Sequence, residues 1–320
     1  MPVDKQNPPQ KYHEPVQGTV FHGDGREEAL QKALLAEPSL QNNPGTQPVL
    51  DFLYEFGKKF YLMNVGGTKG EGVERVIKER KPKLVLEVGS YVGYSAITFS
   101  RSMRDAHPNS IYPKDWSSDT TEDRAGYISL EKSPVYAATA RTAIEIAGLK
   151  DVVKIVEGSS TSSIKSLRET LNLPAPLKFD LVFIDHLKPL YTNDLKMMED
   201  EGLVGPDTCI VADNVVKPGN PAYLSWVRAT PALKRASLEK PRLTTQPPAT
   251  TNPSTKEEWT KAFFDGPIDE TRWTPDESEG VTAKGNPNLV YSSEMVWGYD
   301  DLTAEVDACE ISVCLREEKE

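Results

Sequence analysis

Four apolar residues, Leu84, Val85, Leu86 and Val88, precede Gly89 and Gly93, and from Tyr94 to Met103 the apolar positions fall at the spacing of an amphipathic helix. That succession predicts a strand buried on both sides, a tight glycine turn and a helix. The change of period repeats downstream. Strand-like runs at 84–88, 127–131, 152–156, 180–184 and 208–212 alternate with helical stretches at 94–104, 134–147, 161–171, 191–200 and 221–229. Such alternation predicts βαβ units with right-handed crossovers, hence an α/β fold with a mostly parallel central sheet and helices on both faces. Two more β-rich runs, 288–297 and 306–314, are joined by a short connection and predict a terminal antiparallel pair added to the sheet edge.

Before the first strand the pattern is helical. Residues 26–36 read as one helix, broken over 38–48, and a second runs from about 48 to 65 with Leu50, Phe52, Leu53, Phe56 and Phe60 on one broad apolar face. The pair Gly66-Gly67 is expected to stop it. A third helix is expected over 72–81, ended by Pro82. Residues 1–24 are polar and carry prolines, which predicts an irregular arm; 25–320 then form a single domain. Two stretches, 106–125 and 234–284, are rich in Pro, Thr, Ser, Asn and charge, and read as surface insertions.

Composition narrows the partners. Among 320 residues, 37 Lys and Arg face 48 Asp and Glu, a net charge of −11. An acidic surface argues against nucleic acid or an anionic membrane as the main partner. The tryptophans have no spacing that suggests a base-stacking platform. Cys209, Cys309 and Cys314 lack CxxC spacing and read as reduced packing thiols. No run of about eighteen apolar residues occurs, and the first sixteen residues have no apolar signal core, so a soluble cytoplasmic protein is expected. The oligomeric state is left open, a monomer being the simplest case.

The glycine turn carries the first chemistry. A dinucleotide fingerprint needs G-x-G-x-x-G so that a pyrophosphate can rest on backbone at the helix start. Here Gly89 and Gly93 are separated by three residues, and Tyr91, Tyr94 and Ser95 crowd the phosphate position. A phosphate-free ligand with an adenosine and an amino-acid part, such as S-adenosylmethionine, fits better. Glu131 ends the second strand, where an acid can bind both hydroxyls of a ribose. Gly158-Ser159-Ser160-Thr161 follows the third, where small hydroxyl residues can line an adenine or simply cap a helix. Two later strand ends offer oxygens: Asp185, and Asp213 with Asn214. Three protein oxygens suit Mg²⁺ and leave three positions for substrate or water. Lys188, three residues past Asp185, can take a proton from a hydroxyl held there.

Met63-Asn64-Val65-Gly66, the run from Glu87 to Ser95, Asp185-His186-Leu187-Lys188 and the run from Asp213 to Gly219 together resemble the catechol O-methyltransferase family, in the same order and with similar gaps. The resemblance covers roughly 50–104, 127–230 and 288–314 and implies a Rossmann-like methyltransferase fold. It implies that Met63, Asn64, Val65, Glu87, Gly89, Tyr91, Tyr94 and Ser95 hold the methionine part of the donor and Glu131 its ribose. Ser160, Thr161, Asp185 and His186 would approach the adenosine or the sulfonium. Asp185, Asp213 and Asn214 would bind Mg²⁺, Lys188 would be the general base, and Tyr61 and Pro218 would wall the catechol slot beside Lys188 and Asn214. Glu294 is the candidate for a carboxylate binding the second substrate hydroxyl. Departures from the family pattern are Tyr61 for a tryptophan, Leu187 for a tryptophan against the adenine, Leu190 for an arginine, and Lys132 for an apolar residue.

Two other classes fit parts of this pattern. A nicotinamide-dependent oxidoreductase would use the same turn, although a third glycine is missing. A non-catalytic donor or metabolite-binding protein would explain the altered adenine contacts, although Asp185, Lys188, Asp213 and Asn214 are intact.

Overall fold

The parallel strands are four to six residues long, and four of the five are buried along their whole length, as expected where helices cover both faces; only the edge strand Val153–Glu157 alternates. In the computed structural model, which describes residues 10–14, 22–110, 112, 125–173, 175–239 and 282–318, they are β1 Leu84–Val88, β2 Gly126–Glu131, β3 Val153–Glu157, β4 Leu181–Ile184 and β5 Cys209–Ala212. With β6 Leu289–Tyr299 and β7 Val306–Glu317 they form one seven-stranded sheet in the order β3-β2-β1-β4-β5-β7-β6. The first five strands are parallel; β7 lies antiparallel to β5, and β6 antiparallel to β7. The order reverses between β1 and β4, which opens a crevice at their carboxyl ends.

The helices are α1 Arg26–Ala36, α2 Pro38–Asn42, α3 Thr46–Lys59, α4 Gly67–Arg80, α5 Tyr94–Ala106, α6 Pro134–Ile146, α7 Ser160–Thr170, α8 Tyr191–Asp200, α9 Pro221–Arg228 and α10 Pro231–Glu239. One face of the sheet buries Val85, Tyr127, Phe183 and Val211 with apolar residues of α1, α3, α4, α5 and α6. The other buries Leu86, Ile128, Val182 and Ile210 with those of α7, α8 and α9.

Three expectations shift at their edges. The second helix ends at Lys59, not near 65, because residues 60–66 run on without helix and bury Leu62 and Val65. The glycine pair therefore starts a helix instead of stopping one. A Cβ on Gly67 (φ +57) would lie 2.5 Å from Asp301 Oδ1, and the Gly67 amide donates to Asp301 Oδ2 at 2.5 Å. The carboxylate thus sits against the amino end of α4, where the helix dipole favours it. At the other boundary, Lys234 belongs to α10, buried and donating to Leu289 O at 2.8 Å, so the fold reaches into the expected second insertion. Most of both insertions, 113–124 and 240–281, lies outside the described residues.

Among the described residues the arm meets the domain at several places, including His22 Nδ1 at 2.9 Å from the Tyr136 hydroxyl. The amides of Tyr12 and His13 both donate to Leu302 O, at 2.8 and 2.9 Å, in the turn between β6 and β7. Among the described residues no helix is long and apolar enough to cross a membrane.

Candidate active site

Register brings the chemistry together. Val88, Ile184 and Ala212 are level across β1, β4 and β5, so the next residues, Gly89, Asp185 and Asp213, emerge side by side at the crevice. The Asp185 amide donates to Val88 O at 2.9 Å and the Asp213 amide to Ile184 O at 3.0 Å, which fixes both aspartates at the rim. Gly89 has φ +103, and a Cβ there would lie 2.5 Å from the carbonyl oxygen of Asp185. Only glycine permits the turn and the later strand end to close on each other this tightly.

Within the turn, Tyr91 (φ 47) donates its amide to Glu131 Oε2 at 2.8 Å, and Ser133 donates to Glu131 Oε1 at 2.8 Å. Glu131 therefore ties the end of β2 to the glycine turn, with burial pushing its carboxyl up against those amide bonds. The Tyr91 hydroxyl reaches Glu27 on α1 at 2.9 Å, so this ring braces the turn from behind. Glu87, one residue before the end of β1, is fully buried, accepts from Ser129 Oγ, and is pushed up by burial to about 7. Ser95 and Val65 are buried, Asn64 and Tyr94 half-buried, and Met63 exposed at the rim. Burial pushes the Tyr94 phenol up to about 12.

Asp185 and Asp213 are both deeply buried carboxylates in each other's field. Burial raises Asp185, with Asp213 adding to the effect and Lys188 opposing it. Burial works the same way on Asp213, but the ammonium charges of Lys69 and Lys188 hold it below its ordinary value. Lys188 Nζ donates to Asp185 Oδ1 at 2.7 Å and to the Tyr191 hydroxyl at 2.9 Å. Asn214 is in the left-handed region (φ 57, ψ 34) and donates Nδ2 to Asp307 Oδ2 at 2.7 Å, so its amide oxygen is the atom left for another contact. Two acid groups and an amide oxygen are the hard donors that Mg²⁺ prefers, and mutual repulsion of two buried carboxylates is what a cation between them would relieve.

His186 Nε2 is 2.9 Å from Asp194 Oδ2, and Thr161 Oγ1 donates to Asp194 Oδ1 at 2.6 Å. This network joins the loop after β4 to α7 and α8. Burial opposes the charge on Asp194, but the bonds from His186, Ser160 and Thr161 keep it low. The His186 ring stacks on Tyr191 at 5.0 Å, and its Nδ1 is buried without a protein partner, as is Ser90 Oγ in the glycine turn. Buried polar atoms of this kind are rarely left without a partner, so both are places for a ligand atom. Leu187 is half exposed, whereas Leu190 is buried.

Tyr61 lies in the segment after α3, half-buried, and its phenol is pushed up by burial with contributions from Asp300, Glu305 and Asp185. The His13 ring meets it edge-on at 5.6 Å, and His13 Nε2 bonds Gly57 O at 3.0 Å. Pro218 is exposed beyond Asn214. Glu294 stands apart from this group. It is exposed on β6 opposite Ile311, with the buried Glu310 as a charged neighbour, while Val296 is the residue level with Cys309 beside Asp213. The hairpin acids whose charge reaches Tyr61 are Asp300 and Glu305.

Residues 86–215 match a family model described as a methyltransferase domain. Over 202 residues the chain is 33% identical to the catechol O-methyltransferase of Mus musculus, an alignment covering 62% of this chain and 68% of that protein. The chain belongs to the catechol O-methyltransferase family. Catechol O-methyltransferase B of Danio rerio is 38% identical over 174 residues, 54% of this chain and 58% of that relative. A probable O-methyltransferase of Mycobacterium tuberculosis is 32% identical over 219 residues, 68% of this chain and 84% of that protein. The chain thus spans between about three fifths and five sixths of these relatives.

Three site residues lie outside what the sequence reading found. Lys69, Asp307 and Cys309 surround Asp213: Lys69 Nζ is 3.0 Å from its Oδ1, and the Cys309 thiol donates to the same oxygen at 3.1 Å. Lys69 in turn reaches Asp307 Oδ2 at 2.9 Å. The signal was weak because α4 and β7 are separated by most of the chain. All three cysteines are buried free thiols, as expected.

Proposed function

We propose that this family member is an S-adenosylmethionine-dependent O-methyltransferase that acts on one hydroxyl of a catechol-like small molecule with Mg²⁺ at Asp185, Asp213 and Asn214. The observation that carries the reading is the contact between Gly89 and Asp185, which joins a phosphate-free donor turn to a rim carboxylate that is itself bonded to Lys188. The donor's methionine end would lie along Met63, Asn64, Val65, Glu87, Gly89, Tyr91, Tyr94 and Ser95. Its ribose would meet Glu131, and its adenine Ser160, Thr161 and His186.

Asp185, Asp213 and Asn214 would hold the cation, whose charge would make a hydroxyl of a diol placed beside it more acidic. Lys188 is held at the rim by Asp185 and the Tyr191 hydroxyl, where its Nζ would take the proton of the diol hydroxyl. Methyl transfer then forms the O–C bond as the C–S bond breaks on the opposite side of the carbon. Tyr61 and Pro218 flank the acceptor, whereas Glu294, exposed on β6 away from Asp213, is not used in this reading. Holding donor and acceptor in line supplies on the order of 7–11 kcal/mol when alignment is good.

A labelled-methyl assay over a panel of catechols, with and without Mg²⁺, tests the whole reading. Transfer that requires Mg²⁺ and disappears in Asp213→Ala is expected. No transfer to any member of the panel, or transfer indifferent to both the cation and Asp213, overturns it.

A further inference from the structure

The buried groups behind Asp213 and Asn214 are built more heavily than packing alone requires. Lys69 and Asp307 are 5% and 3% exposed. The Lys69 ammonium lies between two carboxylates, 3.0 and 3.1 Å from the two oxygens of Asp213 and 2.9 Å from Asp307 Oδ2. Burial alone would push this lysine down, yet the two aspartates hold it well above its ordinary value. Asp307 also accepts from Asn214 Nδ2 at 2.7 Å, from the Val216 amide at 3.3 Å and from the Lys217 amide at 2.8 Å. One carboxylate at the start of β7 therefore takes four donors, three of them from the segment that follows Asp213. A buried ion pair is seldom a net gain over apolar packing of the same volume, so its role is sought in what it orients.

Resting on the reading above, we infer that Lys69 and Asp307 are the positioning pair of the cation site. Asp307 takes the nitrogen of the Asn214 amide and so turns the oxygen toward the cation, and Lys69 sets the plane of the Asp213 carboxylate. Neither residue touches substrate. Partners that orient metal ligands are commonly worth 10–100-fold in metal affinity.

The test uses Mn²⁺ as a spectroscopic stand-in for Mg²⁺. Free Mn²⁺ is titrated by electron paramagnetic resonance into the full chain, and S-adenosylhomocysteine affinity is measured separately without metal. In Asp307→Ala the Mn²⁺ affinity is expected to fall about 10–100-fold, with donor-product affinity unchanged within about twofold and unfolding still cooperative. If Asp307→Ala does not fold, Asp307→Asn is read by the same criteria, with a smaller fall. Lys69→Met separates orientation from charge. Removing a positive charge beside the site would by itself tighten Mn²⁺ binding, whereas loss of orientation weakens it, and a weakening is expected.

Unchanged Mn²⁺ affinity in the Asp307 variant, equal losses of Mn²⁺ and S-adenosylhomocysteine affinity, or tighter Mn²⁺ binding in Lys69→Met would each overturn the pairing while leaving the cation site standing. Wild-type protein that takes up no Mn²⁺ would instead remove the cation reading itself.

Discussion

A Cβ placed on Gly89 would sit 2.5 Å from the carbonyl oxygen of Asp185, two residues nearly a hundred positions apart in the chain. Neither the backbone at φ +103 nor the carbonyl beside it can yield cheaply, because the Asp185 amide is pinned to β1. Gly89→Ala is expected to lose roughly 3 kcal/mol of stability, from positive-φ strain and overpacking together. Denaturant unfolding measures it. A loss below about 0.5 kcal/mol would mean that the turn moves away from β4 at little cost.

Lys188 bridges Asp185 and the Tyr191 hydroxyl. Lys188→Met keeps most of the side-chain volume and removes the proposed base. The expected result is a kcat lower by about 10²–10⁴-fold, with donor affinity unchanged by calorimetry. Equal losses in kcat and donor affinity would assign Lys188 a role in holding the site together.

Glu87 makes stability depend on pH. Burial raises its pKa from the usual 4.5 to about 7, so between those values the folded protein binds more protons than the unfolded chain. This contribution to stability is present in full below pH 4.5 and is lost as pH rises toward 7. The loss is up to about 3 kcal/mol, 1.36 kcal/mol for each unit. Glu87→Gln should flatten that slope, and the variant should gain on wild type between pH 5 and 8 in urea titrations. Parallel curves for the two proteins would remove Glu87 as the cause.

His13 meets Tyr61 edge-on and is anchored to Gly57 O. If Tyr61 walls the acceptor slot, His13→Ala should raise the acceptor KM roughly fivefold, the equivalent of about 1 kcal/mol for an aromatic pair. The kcat should stay within about twofold. An unchanged KM across catechols of different ring substitution would place the arm outside the slot's influence.

Arg228 reaches both oxygens of Glu310, which is completely buried on β7, with Nη2 to Oε2 at 2.6 Å. Removing one partner of a buried pair leaves the other uncompensated. Arg228→Met should destabilise by about 3–5 kcal/mol, and adding Glu310→Gln should restore part of it. Additive losses in that double variant would show that the two side chains are not coupled.

Period and punctuation determined much of this protein from the sequence alone. The switch between runs of Leu, Val and Ile and helical spacing placed all five parallel strands within about one residue, because strands buried on both faces have little compositional freedom. Gly89, Asp185, Asp213 and Asn214 were legible because each stands just past a strand end, and the family resemblance gave them and Lys188 a common expected chemistry. Local patterns could not tell whether Gly66 and Gly67 end one helix or begin the next; that depended on Asp301, more than 230 positions away. Nor could they place Glu294, whose strand was legible but whose register against β7 was not. Lys69 and Asp307 were invisible for the same reason. A buried charge is tolerable only beside its partner, and only the folding of α4 and β7 around the end of β5 brings those partners within 3 Å.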